Sequence, residues 1–497
     1  MKQQLKLYSL FILIATGLLA YSCQPDYDTA SDPMNITFSQ DTIYLDTVFS
    51  AVGSSTRSFT IRNTSNENIL IDKIVLGKGR ESPFRINVNG LTGQDINNII
   101  LPAFDSLWVF VELTAPASGT EMIWTDSIVV SNKGYVNDVK LISLALDAHF
   151  YFPNKAITIK QSPPYSDIII PYSILPKNAI WSNDKPHVVY GYAIIDSGGT
   201  LDILSETKVH FHSGSGLWIS SGGELKIDEE NTGSYSNPVI LEGDRLEPFY
   251  NNIAGQWGGL FGGLFIQRGG NASINNAWIK NGTIGIRCDS VSELGERNLI
   301  IKNSRITDFS RVSIYSGFGN IEMENVVVAN DGLYGLYCLG GRVFIDHCTF
   351  INEFPASRST PMVGLFNRYD DGSGQYRYRD LREAYFGNCI ISGSRESELG
   401  FDFDLDADFN YQIQGCLIKI KPNHSAANYD LTNASYFYQC VFNEDPSFIL
   451  QTSYNYELDS SSKAIDIGLS APAIRVPYDA QKKYRIIDPD AGALEKN

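Results

Sequence analysis

Four aspartates occupy every second position between residues 402 and 408 and form the sharpest chemical pattern in the chain. Asp402, Asp404, Asp406 and Asp408 alternate with the apolar residues of the run Phe401–Phe409. On a β-strand this alternation places all four carboxylates on one face, about 6.5–7 Å apart. Such carboxylates repel one another unless water or cations separate them, and Ca²⁺ prefers oxygen ligands. The pattern leaves two interpretations open, a calcium site and a solvated acidic ridge that blunts aggregation. We expect no other cofactor.

A second cluster combines aromatic and cationic side chains shortly before the aspartates. Its members are Tyr369, Tyr376, Arg377, Tyr378 and Arg379, with Arg368 and Arg382 beside them. Aromatic faces stack on sugar rings, and guanidinium groups bind carboxylates or hydroxyls through paired hydrogen bonds. The cluster is therefore either a glycan-binding loop or a loop whose arginines pair with nearby acids, the four aspartates included.

Charge and composition limit the classes of partner. The 497 residues include 56 acidic and 39 basic side chains, a formal net charge of −17, with no local basic patch. A surface this acidic repels phosphate backbones, so we expect no nucleic-acid partner. The hydrophobic fraction of 43% excludes a disordered chain. Abundant glycine and aromatic residues, with only 19% charged residues, predict a mostly β protein.

An internal repeat predicts the fold that positions the four aspartates and the aromatic and cationic cluster. The pattern Ser-Gly-Gly-x-Leu-x-Ile over residues 197–203 recurs over residues 221–227, offset by 24. A second anchor, a polar residue or glycine before an inward residue, recurs at steps of 27, 22, 22, 41, 27 and 24 residues. Its members are Asn276, Asn303, Asn325, His347, Asn388, Gly415 and Gln439. A period in the low twenties, with short strands and polar turns, indicates one coil of a parallel β-helix.

Stacking of such coils predicts columns of inward residues. One predicted column is Ala277, Ser304, Val326, Cys348, Cys389, Cys416 and Cys440. A second is Ile279, Ile306, Val328, Phe350, Ile391, Ile418 and Phe442. Parallel strands keep Cβ atoms about 4.8 Å apart, beyond disulfide reach, so we expect these cysteines to be buried thiols. Cys288 and Cys338 are predicted to line another column.

The step of 41 residues indicates a coil with about 17 extra residues. We place the insertion within residues 352–383, which contain the aromatic and cationic cluster. Insertions on solenoids often form the binding face.

Residues 36–150 predict a separate β-sandwich. About seven short alternating segments, such as Ser58–Arg62 and Ser106–Glu112, are separated by turn signals such as Asn63–Asn66. The stretch Phe59–Ile71 resembles immunoglobulin-like domains of the ASH/major-sperm-protein type. No cysteine pair lies in this region, so the antibody-type disulfide is absent. The domain is expected to be a spacer, with a partner-docking module as the alternative.

The N-terminal residues predict where the protein is located in the cell. Lys2 and Lys6 precede an apolar run from Leu10 to Ala20, which is short for a membrane span. The ending Leu19-Ala20-Tyr21-Ser22-Cys23 resembles the lipobox of bacterial lipoproteins, which implies cleavage before Cys23 and its lipidation. Acidic residues after Cys23 resemble the surface-export signal of Bacteroidetes lipoproteins. The membrane is thus an expected partner through the lipid anchor, at the outer membrane on its cell-surface or periplasmic side.

The second two-thirds of the chain resembles the right-handed parallel β-helix superfamily. The resemblance rests on the Gly-Gly-x-Leu-x-Ile repeats, on Asn237–Gly243 with Gln256-Trp-Gly-Gly-Leu260, and on the tail from Lys463 to Glu495. The segment Val343–Cys348 is similar to a Trp-Ile-Asp-His strand of pectate lyases, but the catalytic and calcium motifs of those lyases have no matching residues here. The superfamily includes lyases, hydrolases and adhesins, so the resemblance implies a fold and leaves the activity open.

The sequence therefore predicts an all-β chain, an immunoglobulin-like β-sandwich followed by a right-handed parallel β-helix. The expected segments are a signal peptide (1–22), a tether (23–35), the sandwich (36–150), a linker or cap (151–190) and the β-helix with a C-terminal cap (191–497). The expected function is extracellular recognition of a carbohydrate ligand. The alternatives are a polysaccharide lyase or glycoside hydrolase, and a structural or adhesin-like surface protein. No complete catalytic motif is present, and the pattern leaves the oligomeric state open.

Overall fold

A computed structural model describes residues 35–116, 122–161, 164–289, 297–353, 358–421, 430–451 and 454–496. The chain divides into two compact units, with the boundary between Asp147 and Ala148. The predicted fold class is confirmed, since the first unit is a β-sandwich and the second is a parallel β-helix. Within the described part of the chain, no helix has the length and apolar character needed to cross a membrane.

The sandwich consists of two five-stranded sheets. Its described strands are β1 (Ile36–Phe38), β2 (Thr42–Phe49), β3 (Arg57–Asn63), β4 (Ile69–Leu76), β5 (Phe84–Val88), β6 (Leu91–Gly93), β7 (Asp95–Leu101), β8 (Ser106–Leu113), β9 (Met122–Asn132) and β10 (Tyr135–Leu146). One sheet has the order β1-β3-β8-β5-β6 and the other β2-β10-β9-β4-β7. A strand is identified in a sequence by alternation of apolar and polar residues. All residues of β6 are exposed, so this strand lacks the buried positions that give such a pattern. The sequence therefore predicted fewer strands than the ten observed in the described residues.

The sandwich core comes from the inward positions of both sheets. Phe59 and Ile61 of β3 are buried, and they pair with the buried Val109 and Leu107 of β8 across the antiparallel ladder that joins these strands. The alternation of buried and exposed residues along β8 follows the period of two that a half-buried strand requires.

Three long sheets form the walls of the solenoid, with strands numbered in chain order. The first sheet contains β11 (His149–Tyr151), β15 (His187–Val189), β18 (Lys208–Phe211), β21 (Val239–Gly243), β24 (Ala277–Lys280), β27 (Arg305–Thr307), β30 (Val327–Ala329), β33 (Thr349–Asn352), β38 (Ile390–Gly393), β41 (Leu417–Ile418) and β43 (Val441–Phe442). The second contains β12 (Lys155–Ile159), β13 (Ile168–Ile174), β16 (Tyr192–Ile195), β19 (Gly216–Ile219), β22 (Leu264–Ile266), β25 (Ile284–Cys288), β28 (Val312–Ser316), β31 (Tyr334–Leu339), β34 (Val363–Phe366) and β39 (Leu399–Asp402). The third contains β14 (Asn178–Trp181), β17 (Thr200–Ile203), β20 (Glu224–Ile227), β23 (Asn271–Asn275), β26 (Leu299–Lys302), β29 (Asn320–Glu324), β32 (Gly341–Asp346), β37 (Leu381–Gly387), β40 (Phe409–Gln414) and β42 (Phe437–Tyr438).

The remaining elements are short. Two antiparallel hairpins are β35 (Arg368–Asp370) with β36 (Tyr376–Tyr378), and β44 (Phe448–Leu450) with β45 (Asn455–Leu458). An α-helix spans Ser470–Arg475, and 3-10 turns span Gly79–Glu81 and Pro248–Tyr250. The solenoid sheets begin at β11, β12 and β14, within or just before the segment expected to be a linker or cap.

Both predicted inward columns are confirmed. The column from Ile279 to Phe442 pairs in register from one coil to the next across the first sheet. The six cysteines of the β-helix are free thiols, and all except the half-buried Cys440 are buried. Cys288 and Cys338 are joined in register through Ser316 in the second sheet. The Sγ atom of Cys416 also accepts a hydrogen bond from the backbone N–H of Cys389, at 3.1 Å.

The turn residues before the first column adopt the left-handed backbone conformation. Their φ angles are +43° at Asn276, +49° at Asn303, +55° at Asn325 and +51° at Asn388. Asparagine tolerates this conformation better than other residues with a Cβ atom. The repeated asparagine therefore sets the corner between the third and first sheets.

The chain after β43 packs against the outer face of the first sheet. Tyr456, Ala480 and Leu494 form a buried cluster with Val327 and Ile351, the outward neighbours of core positions. Arg485 is buried and donates hydrogen bonds to the carbonyl oxygens of Gly492 and Ala493, each at 3.2 Å. The described tail thus lies along the side of the stack.

Glu495 makes the packing of this tail pH dependent. Burial, reinforced by repulsion from Asp490, raises the pKa of Glu495 to about 8, although Arg485 opposes the shift. The folded state thus binds the proton more tightly than the unfolded state, and the resulting stability is fully present below the ordinary pKa of about 4.5. It is lost as the pH rises towards 8. We expect the wild type to lose several kcal/mol over this interval relative to Glu495→Gln, because each unit of pKa shift corresponds to about 1.4 kcal/mol. Melting temperatures of both proteins across the interval measure the difference, and parallel curves would contradict it.

Candidate functional site

The predicted aromatic and cationic cluster forms the hairpin β35–β36, which leaves the stack after β34. Tyr369 pairs with Arg377 across the hairpin, and Arg368 pairs with Tyr378. Tyr376 and Tyr378 are exposed, as are Arg377 and Arg379. The hairpin lies within the segment 352–383 where the sequence places the insertion, and the rings of Tyr376 and Tyr378 are open to solvent.

The four aspartates do not form the predicted strand face. β39 ends at Asp402 and β40 begins at Phe409, so residues 403–408 form a turn and the strand alternation predicted there is wrong. The side-chain amide of Asn367 stabilises this turn by donating to the carbonyl oxygens of Asp404 (2.7 Å) and Ala407 (3.0 Å). Among the described residues, Asp402, Asp404, Asp406 and Asp408 do not bring three carboxylate oxygens within 4.8 Å of one another.

Arg368 joins the hairpin to this acidic turn. Its guanidinium group lies 2.7 Å from Oδ1 of Asp402 and 3.3 Å from Oδ2 of Asp404. Arg377 pairs with Asp371 of the hairpin turn at 2.8 Å. The interpretation that loop arginines pair with nearby acids therefore holds for these two residues. It leaves Tyr376 and Tyr378 unburied on the hairpin.

A column of aromatic and cationic side chains covers the outer face of the second sheet. The repeat pattern in the sequence did not predict this column. Five residues pair in register over successive coils, and Phe366 extends them. The aromatic column is Trp218, Phe265, Arg287, Tyr315, Tyr337 and Phe366. The inward neighbours of each member carry the hydrophobic core. The sequence does contain a signal for these positions, because each of the five residues lies between two inward residues. The type of residue at an outward position of a solenoid can change from coil to coil, so the column does not stand out as a repeat.

The rings of the aromatic column stack along the solenoid axis. Tyr315 and Tyr337 are nearly parallel, with centroids 5.0 Å apart and an interplanar angle of 4°. Phe366 stacks on Tyr337 at 4.5 Å. Its ring occupies the position that a side chain at residue 364 would take, since a Cβ atom on Gly364 would lie 2.6 Å from it. Glycine at that coil therefore allows the column to continue.

Arg287 is a charged member within this apolar column. Its guanidinium carbon lies 5.2 Å from the ring centroid of Phe265 and 5.8 Å from that of Tyr315. Asp289 accepts a hydrogen bond from Nε of Arg287 at 3.3 Å. Contact with both rings holds the guanidinium group in place, and its two Nη groups carry further N–H donors.

The hairpin and the aromatic column belong to one surface. Burial raises the pKa of Tyr315, Arg287 opposes this, and Tyr369 and Arg379 are close enough to contribute further electrostatic effects. Burial also raises the pKa of Tyr337, with a smaller contribution from Asp402 of the acidic turn. We call this combined surface the aromatic face. Because burial raises their pKa values, Tyr315 and Tyr337 stay protonated at neutral pH, and their hydroxyl groups can both donate and accept hydrogen bonds.

A separate cleft of about 440 Å³ lies where the tail crosses the asparagine turns. Lys302, Arg475 and Lys482 line it together with Asn303 and Asn325. The amide of Asn325 already donates to Asn303 (3.0 Å) and to the carbonyl oxygen of Tyr478 (2.9 Å). The tail thus uses much of the hydrogen-bonding capacity of this cleft, which makes the aromatic face the better candidate.

Cys23, the predicted lipidation site, lies outside the described residues. No protein-family profile matches the chain. A search of curated proteins also finds no match.

Solved structures match only short parts of the chain. A family 123 glycoside hydrolase from Clostridium perfringens matches at 8% identity over 22% of this chain, with a TM-score of 0.17, and this chain covers a quarter (25%) of that enzyme. The ASH/PapD-like domain of human CEP192 matches at 10% identity over 26% of this chain and 98% of the domain, with a TM-score of 0.17. The VesB protease of Vibrio cholerae matches at 12% identity over 22% of this chain and 32% of the protease, with a TM-score of 0.17. At these TM-scores the likenesses carry no argument about fold or activity, so the site residues alone bear on function.

Proposed function

We propose that the solenoid binds an extended polysaccharide along the aromatic face. The observation that carries this proposal is the in-register column from Trp218 to Tyr337, which repeats once per coil and meets the hairpin β35–β36 at its end. Neighbouring coils are about 4.8 Å apart, a spacing comparable to one sugar unit in an extended chain. The sugar units of an extended polysaccharide would therefore face side chains that repeat at a similar spacing along the solenoid.

The chemistry of the face suits sugar hydroxyls. The guanidinium group of Arg287 offers donors, and the hydroxyls of Tyr315 and Tyr337 both donate and accept. The rings within the column cover one another, so ring stacking with a sugar falls to the exposed Tyr376 and Tyr378. In this proposal the column supplies polar contacts along the glycan, and the hairpin supplies the apolar contact at one end.

The second part of the proposal concerns the location of the protein. A lipid on Cys23 would hold the chain at a bacterial outer membrane, as the lipobox-like ending at Ser22-Cys23 suggests. The sandwich would then serve as a spacer. Incorporation of a radiolabelled fatty acid into the wild type and not into Cys23→Ala is the expected result. Equal labelling of both proteins would contradict the anchor.

Binding to a glycan array, followed by titration calorimetry with the best polysaccharide, tests the function. We expect Arg287→Gln to weaken binding about tenfold, because a charged hydrogen-bond donor contributes roughly 1.5–3 kcal/mol. The double variant Tyr376→Ala/Tyr378→Ala should weaken it by a similar factor through loss of ring contacts. Both sites are at the surface, so melting temperatures should change little.

Tyr438→Ala is the matched control, since Tyr438 is an exposed tyrosine on the third sheet, away from the aromatic face. Its affinity should equal that of the wild type. If Tyr438→Ala and Arg287→Gln weaken binding equally, the aromatic face is not the site. Release of unsaturated or shortened sugars during the assay would instead favour the lyase or hydrolase alternative. Binding to no glycan would favour a structural or adhesin-like role.

A further inference from the structure

Two histidines and an aspartate meet at the first coil of the solenoid. His149 of β11 and His187 of β15 are direct partners in register across the first sheet. Asp184 lies in the turn that precedes β15. One ligand atom from each of the three residues lies within 4.8 Å of the other two, a grouping found at no other place in the described part of the chain. Nε2 of His149 already lies 3.1 Å from Oδ2 of Asp184.

Surrounding groups hold two of these residues in the orientation that a metal ligand needs. Nε2 of His187 lies 2.9 Å from the carbonyl oxygen of Ser182, so that nitrogen must carry a proton. The lone pair of a neutral His187 is then on Nδ1, which accepts a hydrogen bond from the hydroxyl of Tyr151 at 3.0 Å, so an ion that binds there displaces this hydroxyl. The hydroxyl of Ser182 donates to Oδ1 of Asp184. Metal-binding histidines commonly donate their second N–H to a backbone carbonyl, and metal-binding carboxylates are usually hydrogen-bonded as well.

An aromatic neighbour also holds His187 in place. Trp181 stacks on the ring of His187 at 4.9 Å and restricts its movement.

Exposure leaves a path for the ion. The side chains of His149 and Asp184 are 42% and 55% exposed, whereas His187 is buried. The two exposed side chains can therefore close on an ion beside the fixed His187, as tetrahedral Zn²⁺ geometry with Zn–N distances of about 2.0–2.1 Å requires. Calcium and magnesium prefer oxygen ligands alone, whereas two imidazoles and one carboxylate suit zinc and its transition-metal neighbours.

We propose that His149, Asp184 and His187 bind one divalent transition-metal ion, with Zn²⁺ as the natural candidate and water in the remaining position. The ion joins β11 and β15, the first two strands of the first sheet, to the turn that precedes β15. The site is independent of the aromatic face and of the proposed glycan.

Calorimetric titration of the purified, metal-free chain with Zn²⁺, and visible absorption after addition of Co²⁺, test this proposal. The wild type should bind one ion per chain and show the ligand-field bands of a low-symmetry Co²⁺ site. Asp184→Asn and His149→Ala should weaken Zn²⁺ binding roughly 100-fold or more, and Ser182→Ala about 10–100-fold through loss of support for Asp184. Tyr151→Phe should bind the ion at least as tightly as the wild type, since it removes the hydroxyl that occupies Nδ1 of His187.

The pair His212 and Asp244 supplies a matched control. Nδ1 of His212 lies 2.7 Å from Oδ2 of Asp244, and this half-exposed histidine belongs to no group of three ligands in the described residues. His212→Ala should therefore bind Zn²⁺ as the wild type does. Absence of stoichiometric binding by the wild type would overturn the proposal, as would equal loss in His212→Ala and His149→Ala. Because His149 and Asp184 are exposed, circular dichroism should report an unchanged fold in their variants.

Discussion

Arg358→Met is expected to lower the free energy of unfolding of the solenoid by about 3–5 kcal/mol, because it leaves the carboxylate of Glu398 buried without its partner. The two side chains are only 2% and 0% exposed. Nη2 of Arg358 lies 2.7 Å from Oε1 and 2.6 Å from Oε2 of Glu398. The methionine side chain offers no hydrogen-bond donor, so the hydrogen bonds that Arg358 makes are lost.

Backbone groups make the position of Glu398 still more restrictive. Its carboxylate accepts hydrogen bonds from the backbone N–H groups of Met362 (3.0 Å) and Arg395 (2.8 Å). Glu398 thereby joins the start of β34 to the turn before β39. Removal of Arg358 is expected to loosen the coil that carries the hairpin β35–β36, and stability and hairpin order should decline together.

Urea unfolding followed by circular dichroism measures the effect, with Lys421→Met as the control. Lys421 pairs with Glu396 at 2.8 Å, but the two side chains are 68% and 79% exposed. Exposed pairs contribute about 0–1 kcal/mol, so this variant should unfold almost as the wild type does. The double variant Arg358→Met/Glu398→Leu should recover part of the loss, because it removes both buried charges. Equal destabilisation by Arg358→Met and Lys421→Met would contradict the argument.

The inward columns could be predicted from sequence because each coil imposes the same requirement. Ile306, Val328 and Phe350 occupy equivalent positions, and any polar residue there would be buried without a partner. The asparagine turns were predictable for a similar reason, since the same left-handed corner recurs in successive coils from Asn276 to Gln439. Repetition supplied the information that a single strand lacks.

The candidate site could be predicted only in part. The insertion was visible as an irregular step in the repeat, and its tyrosines and arginines were correctly located. The acidic run was interpreted as a strand because alternation of Phe and Asp has a period of two. In the structure, Asn367 holds that run as a turn through contacts 37 and 40 residues away along the chain. The pairing of Arg358 with Glu398 spans 40 residues as well, and no local pattern signals it.

Trp257→Ala should have the second large effect, a loss of about 3–5 kcal/mol in the free energy of unfolding. Trp257 belongs to the Gln-Trp-Gly-Gly-Leu motif and is almost fully buried in the solenoid core. Its ring stacks on Phe211 with centroids 4.3 Å apart and meets the edge of Phe309 at 6.3 Å. The chain leaves the wall of the stack between β21 and β22, and this indole fills the core space there.

A glycine six residues after the tryptophan makes room for the indole ring. A Cβ atom on Gly263 would lie 2.4 Å from the indole ring, so a larger residue there would displace it. Nε1 of the indole donates to the carbonyl oxygen of Lys280 at 2.8 Å. Alanine at 257 therefore creates a cavity and leaves that carbonyl without its donor, and the two costs add.

Three tryptophan variants separate these contributions. Trp257→Phe keeps an aromatic ring in the cavity but loses the N–H donor, so it should cost less than Trp257→Ala and still at least about 1 kcal/mol. Trp108→Ala removes an indole that is 51% exposed on the sandwich, and should change stability by less than about 1 kcal/mol. The expected order of destabilisation is therefore Trp257→Ala, then Trp257→Phe, then Trp108→Ala. If Trp257→Phe costs as much as Trp257→Ala, the hydrogen bond to Lys280 matters more than the cavity. If Trp257→Ala is as stable as Trp108→Ala, the indole does not support the core.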